Sequence, residues 1–218
     1  MRIFSYESKF SQVMSRIVNG CYLNLLWFVC SIPLFTIGAA TTALYTVTLK
    51  MVTDEEGDIT SQFFGSFKEN FKQATQLWLI IAAGAALLAA DIYVLNHLRD
   101  SATGTLAIIL TLTLALVIVA CVALFIVFMY VFPLVAYFDN TNFMMLKNSL
   151  LIGTHYLFCT ICVFVIHVAM AICIISVFTP LIAFGEGICA VISSYLFMPV
   201  FRVCAAQAKR LASGNEDA

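Results

Sequence analysis

The stretch 31-SIPLFTIGAATTALYTVTLK-50 decides how this chain folds. It closes an apolar run from Ile17 to Leu49 that holds no charged residue. Pro33 interrupts the run, and Thr36, Gly38, Ala39, Ala40, Thr41, Thr42 and Ala43 follow it closely. As one helix the 33 residues would extend about 50 Å, against a hydrocarbon core about 30 Å thick. Proline lacks an N–H and clashes with the preceding turn, so a helix is apt to end there. The run is therefore one overlong crossing, or two short segments of about 25 Å folded back at Pro33.

Composition supports a membrane setting for either reading. The chain is 62% hydrophobic and 11% charged, against about 45–50% apolar and about 25% charged in soluble domains. Backbone groups in lipid must bond within their own segment, so long apolar runs there are helices. An all-α, polytopic membrane protein of one domain follows, with no room in 218 residues for a soluble catalytic module. A net charge of −1 without a basic stripe argues against nucleic acid. Seven of the eight cysteines fall in or beside apolar runs, where cysteine behaves as a small hydrophobe, so a disulfide framework is not expected. Sixteen residues precede the first apolar run, which is longer than a signal-peptide core, and the N-terminus is expected to be retained.

Clear spans run from about Leu77 to Leu95, Thr105 to Phe132, Leu157 to Phe178 and Leu181 to Val200, with Pro133 ending or kinking the second. Basic residues mark the inner face. If 17–49 is a broken hairpin, Arg2, Lys9, Arg16, Lys50, Lys68, Lys72, Lys147, Arg202, Lys209 and Arg210 share one side, leaving Arg99 alone opposite. A single crossing reduces that bias to seven against four. Six membrane segments are expected, the first two short, with five as the alternative. The predicted layout is a cytoplasmic N-terminus (1–16), the hairpin (17–49), an interfacial amphipathic helix (60–76), four spans (77–200) and a cytoplasmic tail (201–218).

The cluster after Pro33 reads as a packing motif. Gly38 and Thr42 stand four apart, a small-xxx-small pair that lets another backbone approach, and Pro33, Thr36 and Thr41 complete the set. Ala82, Ala86 and Ala90 on the third segment are its predicted partner face. In 62-QFFGSFKENFKQATQLW-78, Phe63, Phe67 and Phe71 recur every fourth residue while Lys68 and Lys72 fall elsewhere. That pattern predicts an interfacial helix, with these five residues as a possible surface for docking a partner protein.

Two motifs carry a family resemblance. Pro33, Thr36-Ile-Gly-Ala-Ala-Thr-Thr-Ala-Leu-Tyr45 and Phe63-Phe64, Phe67-Lys68, Asn70-Phe-Lys-Gln-Ala74 resemble the YesL family, also called DUF624, of small bacterial membrane proteins. The resemblance is close over roughly residues 20–80. It implies no catalytic or ligand-binding residue. It does imply a setting beside carbohydrate-uptake ABC transporters in the bacterial cell membrane, and hence an accessory role with transporter subunits as partners.

Ionisable residues at membrane depth are the other functional suspects, since each is costly there. Asp91 and His167 form the candidate solute or proton site, with Asp91 able to pair with Arg99. Glu186, between Gly185 and Gly187, is expected to sit solvated in an outer turn. His155, Cys159 and Cys162 share a helical face but lack a fourth ligand for zinc, so neither metal nor cofactor is expected. The phosphate-loop, His-Glu-x-x-His and Gly-x-Ser-x-Gly motifs are absent, which argues against an enzyme. The leading expectation is a non-enzymatic accessory to sugar uptake, and the alternative is a small secondary transporter or channel.

Overall fold

The structure is a computed structural model that describes residues 4–55, 57–176 and 185–214. Its elements there are helical: α1 (Phe4–Ser31), a short 3-10 turn (Leu34–Thr36), α2 (Ile37–Val52), α3 (Ile59–Ser101), α4 (Thr105–Tyr137), α5 (Asn142–His155), α6 (Leu157–Ser176) and α7 (Gly185–Gly214). Four helices are long and apolar enough to cross a membrane: α3, α4, α6 and the 185–210 part of α7. Of the outer bend expected around Thr179–Gly187, residues 179–184, where the last span was to begin, lie outside the described residues.

The chain reverses at Pro33, as the hairpin reading expects. Pro33 is extended (φ −74°, ψ 107°), and Thr36 Oγ1 donates to the carbonyls of Cys30 and Pro33, both at 2.6 Å, the first of them an acceptor at the end of α1. The arms then run antiparallel. Trp27 Nε1 donates to Thr41 Oγ1 at 3.0 Å near the tip, and Arg16 pairs with Asp54 at 2.5 Å at the base while also donating to the Tyr195 hydroxyl of α7. With 16 residues α2 rises only about 24 Å.

α2 is the centre of the molecule. Eleven of its residues are buried, and it packs against α1, α3, α4 and α7. The six-residue connection from Thr53 to Asp58 sets its register with α3: Thr46 Oγ1 meets Ser66 Oγ at 2.7 Å, and eight residues earlier Gly38 meets Ala74, eight residues later on α3. A Cβ on Gly38 would strike the Ala74 carbonyl oxygen and lie 2.8 Å from Trp78 Cβ. The predicted helix pair is thus right and its predicted register wrong. Ala86 and Ala90 are exposed and Ala82 half-buried, because α2 begins at Ile37, beside Ala74, and has no residues left to face them.

Two expected boundaries are continuous helix here. The predicted interfacial helix (60–76) and the following span are one unbroken helix of 43 residues, capped by Asp58, whose carboxylate accepts from Ser61 N at 2.8 Å. Nothing between residues 59 and 101 is proline, and the packed face simply continues through Ala74, Leu77 and Ile81. Pro133 does not end α4, which runs on to Tyr137 with residues 130–135 all buried. The polar segment after α4 is itself helical: α5 lies against α4, with Gly153 facing Ile126 and Tyr130. Outward of this core, α3 and α4 are joined through Gly104, whose φ of +62° suits glycine, and they expose apolar side chains such as Leu87, Leu112 and Leu116.

Two glycine replacements test the α2–α3 contact. Gly38→Ala is expected to cost about 1–3 kcal/mol through overpacking. Gly65→Ala, where nothing lies within 4 Å, is expected to stabilise by about 0.4–1 kcal/mol. Thermal unfolding of the purified protein in detergent reads both, and equal effects would refute the close approach.

Candidate functional site

The candidate site is a cavity of about 300 Å³ where α1, α2, α4, α6 and α7 meet. α1 contributes Trp27, α2 contributes Ile37, Thr41 and Tyr45, α4 the face from Phe125 to Pro133, α6 Val163 and His167, and α7 Glu186. Ile37, Thr41 and Tyr45 recur every fourth residue, so one stripe of α2 forms one wall. The bond from Trp27 to Thr41 braces the wall between α1 and α2.

Its chemistry centres on one pair. His167 Nε2 lies 3.7 Å from Glu186 Oε1, with 30% and 32% of the two side chains exposed. That is ion-pair range, longer than a hydrogen bond. The other ring nitrogen, Nδ1, is 2.9 Å from the Val163 carbonyl, which can only accept, so Nδ1 carries a proton. Nε2 then faces the carboxyl group. A second proton between them, on Nε2 as imidazolium or on Glu186 as carboxylic acid, would turn that approach into an attraction. Either way the pair is neutral as a unit. Tyr45 and Cys189 are within electrostatic reach of Glu186.

Glu186 comes to this place through glycine. Gly187 packs so closely on α1 that a Cβ would meet the Gly20 carbonyl oxygen, and its N–H donates to Asn24 Oδ1 at 2.7 Å. This clamp draws the first turn of α7 against α1 and aims Glu186 inward. Glu186, expected solvated in an outer turn, is half-buried here and faces His167.

Residues 21–92 match the model of a family described as a protein of unknown function, DUF624. No curated protein and no solved structure matches the chain. The DUF624 segment covers the end of α1, the hairpin turn, α2 and most of α3. It thus supplies Trp27, Ile37, Thr41 and Tyr45 to the cavity, while His167 and Glu186 lie beyond it.

The remaining predicted residues separate into distinct places. Pro33 is exposed at the hairpin tip, Thr36 is buried in the turn, Gly38 faces α3, Thr42 is fully buried and Thr41 lines the cavity. Phe63 does not belong to an outer docking surface: it is fully buried, and Phe67 and Phe71 are half-buried. Residues four apart drift about 40° around a helix, so the three rings, Phe63 stacked on Phe67 at 6.4 Å and Phe67 edge-on to Phe71 at 5.5 Å, climb from the core toward the surface. Lys68 and Lys72 are exposed. Asp91 is exposed, forms no ion pair with Arg99 among the described residues, and is not part of the cavity that holds His167.

The zinc candidates also part. Tyr156 breaks the helix between His155 and Cys159, and Cys159 Sγ donates to the Leu196 carbonyl at 3.6 Å. Among the described residues no group of three His, Cys, Asp or Glu side chains gathers to hold a metal.

A double-mutant cycle tests the pair. His167→Gln and Glu186→Gln are expected to couple by about 0.5–1 kcal/mol in unfolding free energy. Strictly additive losses would show that the two side chains do not act together.

Proposed function

We propose that this protein is a non-enzymatic, multi-pass protein of the bacterial cell membrane that binds a small solute in the His167–Glu186 cavity, as a small transporter or solute-responsive subunit would. The observation that carries the reading is the convergence of five helices on a pocket with one protonatable pair and otherwise almost wholly apolar walls. Pockets of about 300–1,000 Å³ with few, placed polar groups are the usual form of small-ligand sites. Ionisable groups inside a membrane protein commonly mark solute or proton paths.

A thermal-shift panel of sugars, amines and carboxylates on the purified protein tests it. Hits are expected, and Ile37→Phe, which places a ring into the cavity from a half-buried position, is expected to abolish them. Hits that survive the filled cavity would refute the site.

The membrane arrangement that suits this reading has six segments. α3, α4, α6 and α7 cross fully, and α1 and α2 form a short hairpin with both chain termini in the cytoplasm. The hairpin tip supports it: Ile32, Leu34 and Phe35 are 69%, 75% and 52% exposed, as side chains facing hydrocarbon would be. With a cysteine at Leu34 in a cysteine-free background, an impermeant maleimide is expected to label from neither side. Labelling from the outside would instead place the tip in water.

A second reading is an accessory subunit of a carbohydrate-uptake ABC transporter, which the family resemblance suggests. One feature favours it: Phe64, Lys68 and Lys72 form an exposed stripe every fourth residue along the inner half of α3. That stripe replaces the one built on Phe63 as the docking face.

A further inference from the structure

We propose that the cavity takes a small organic monocation, and that binding releases one proton from the His167–Glu186 pair. This inference rests on the solute-site reading and adds the class of solute.

The walls argue for a cation with apolar groups. Trp27, Tyr45, Phe125, Phe128 and Phe132 surround the space, and Glu186 is its one carboxylate among the described lining residues. Aromatic faces carry a negative quadrupole that attracts organic cations, most strongly where water is excluded. A metal ion such as calcium would want six to eight oxygen ligands, and the walls offer little beyond Glu186, the Thr41 hydroxyl and the Tyr45 hydroxyl. A sugar would leave most of its hydroxyls facing phenyl rings, at a cost for each unpaired group.

Charge balance argues for exchange. Without solute, the pair and its shared proton are neutral together. A cation entering beside them would leave a net positive charge in a low-dielectric space, which is costly. If the shared proton leaves as the cation enters, Glu186 is a carboxylate paired with the cation, His167 is a neutral ring still donating from Nδ1 to Val163, and the cavity is neutral again. One cation enters and one proton leaves. The other titratable groups near Glu186 are Tyr45 on α2 and Cys189 on α7. The described lining residues from α1 and α4 add none.

Isothermal titration of the full chain in nanodiscs tests this, with choline as probe and its uncharged isostere 3,3-dimethylbutan-1-ol as control. Repeating the titration in buffers of different ionisation enthalpy counts the protons. Choline is expected to bind at least tenfold more tightly than the isostere and to release about one proton. Glu186→Gln should abolish that preference and the release. His167→Gln, which keeps the carboxyl group, should retain the preference, and Trp27→Leu should weaken choline about threefold to tenfold. Equal binding of the two probes, no binding of choline, or choline binding unchanged in Glu186→Gln would overturn the cation assignment. Choline binding without proton release would overturn the exchange. Binding of a sugar or carboxylate that Ile37→Phe abolishes would sink the cation and leave the solute site standing.

Discussion

The close passage of α2 across α3 at Gly38 is the constraint on which the rest depends. Lipid tails are as apolar as leucine, so helices in a membrane gain little from hiding apolar side chains against one another. What remains is contact at short range and hydrogen bonding between helices. The missing Cβ at Gly38 supplies the first, setting one backbone against the Ala74 carbonyl and the Trp78 side chain. Hydroxyl pairs supply the second: Thr46 with Ser66 fastens α2 to α3, Thr48 with Ser194 fastens it to α7, and Tyr130 with Thr160 joins α4 to α6. Each such bond contributes about 0.6 kcal/mol, so the register comes from several weak contacts acting on one short helix.

The motif following Pro33 serves packing and site at once, because a helix has several faces. Gly38 and Thr46 look toward α3, Thr48 toward α7, and Ile37, Thr41 and Tyr45 into the cavity. A choice between packing surface and binding surface is therefore a false one for this stretch. Moving α2 along α3 by one turn would break the glycine contact and also carry Thr41 and Tyr45 away from His167 and Glu186. The packing positions the wall of the site.

Much of this was legible in the residues. An uncharged run broken by Pro33 and longer than a bilayer reads as a reversal, and the chain reverses there. The long apolar helices α3, α4 and α6 follow from apolar length. The α2–α3 register could also have been found, since the short connection from Thr53 to Asp58 pairs Gly38 with Ala74 and leaves the alanines at 82, 86 and 90 unpaired. Phe63 was misread because a four-residue repeat drifts around a helix: its first ring is in the core and its lysines are outside. The pairing of His167 with Glu186 was not legible. It depends on Gly187 meeting Gly20, two glycines far apart in the chain whose contact no local pattern announces. A charged residue flanked by glycines was the one available sign that the backbone there is pressed against something.

The basic residues constrain the arrangement in a narrower way than a count of spans. On the hairpin reading, ten on one side and one on the other tests parity: any even number of passages before Lys50 leaves the same loops on the same side. A hairpin that crosses fully and one that dips into the bilayer satisfy the charges equally. Depth is governed by other features, namely the 16-residue length of α2 and the apolar side chains at the tip. A rise of about 24 Å is short of a hydrocarbon core of about 30 Å, and residues such as Leu34 and Phe35 gain by staying within it. On the proposed topology the hairpin therefore stops in hydrocarbon, and its contribution is to seat one stripe of α2 opposite the Glu186 carboxyl group and the His167 imidazole.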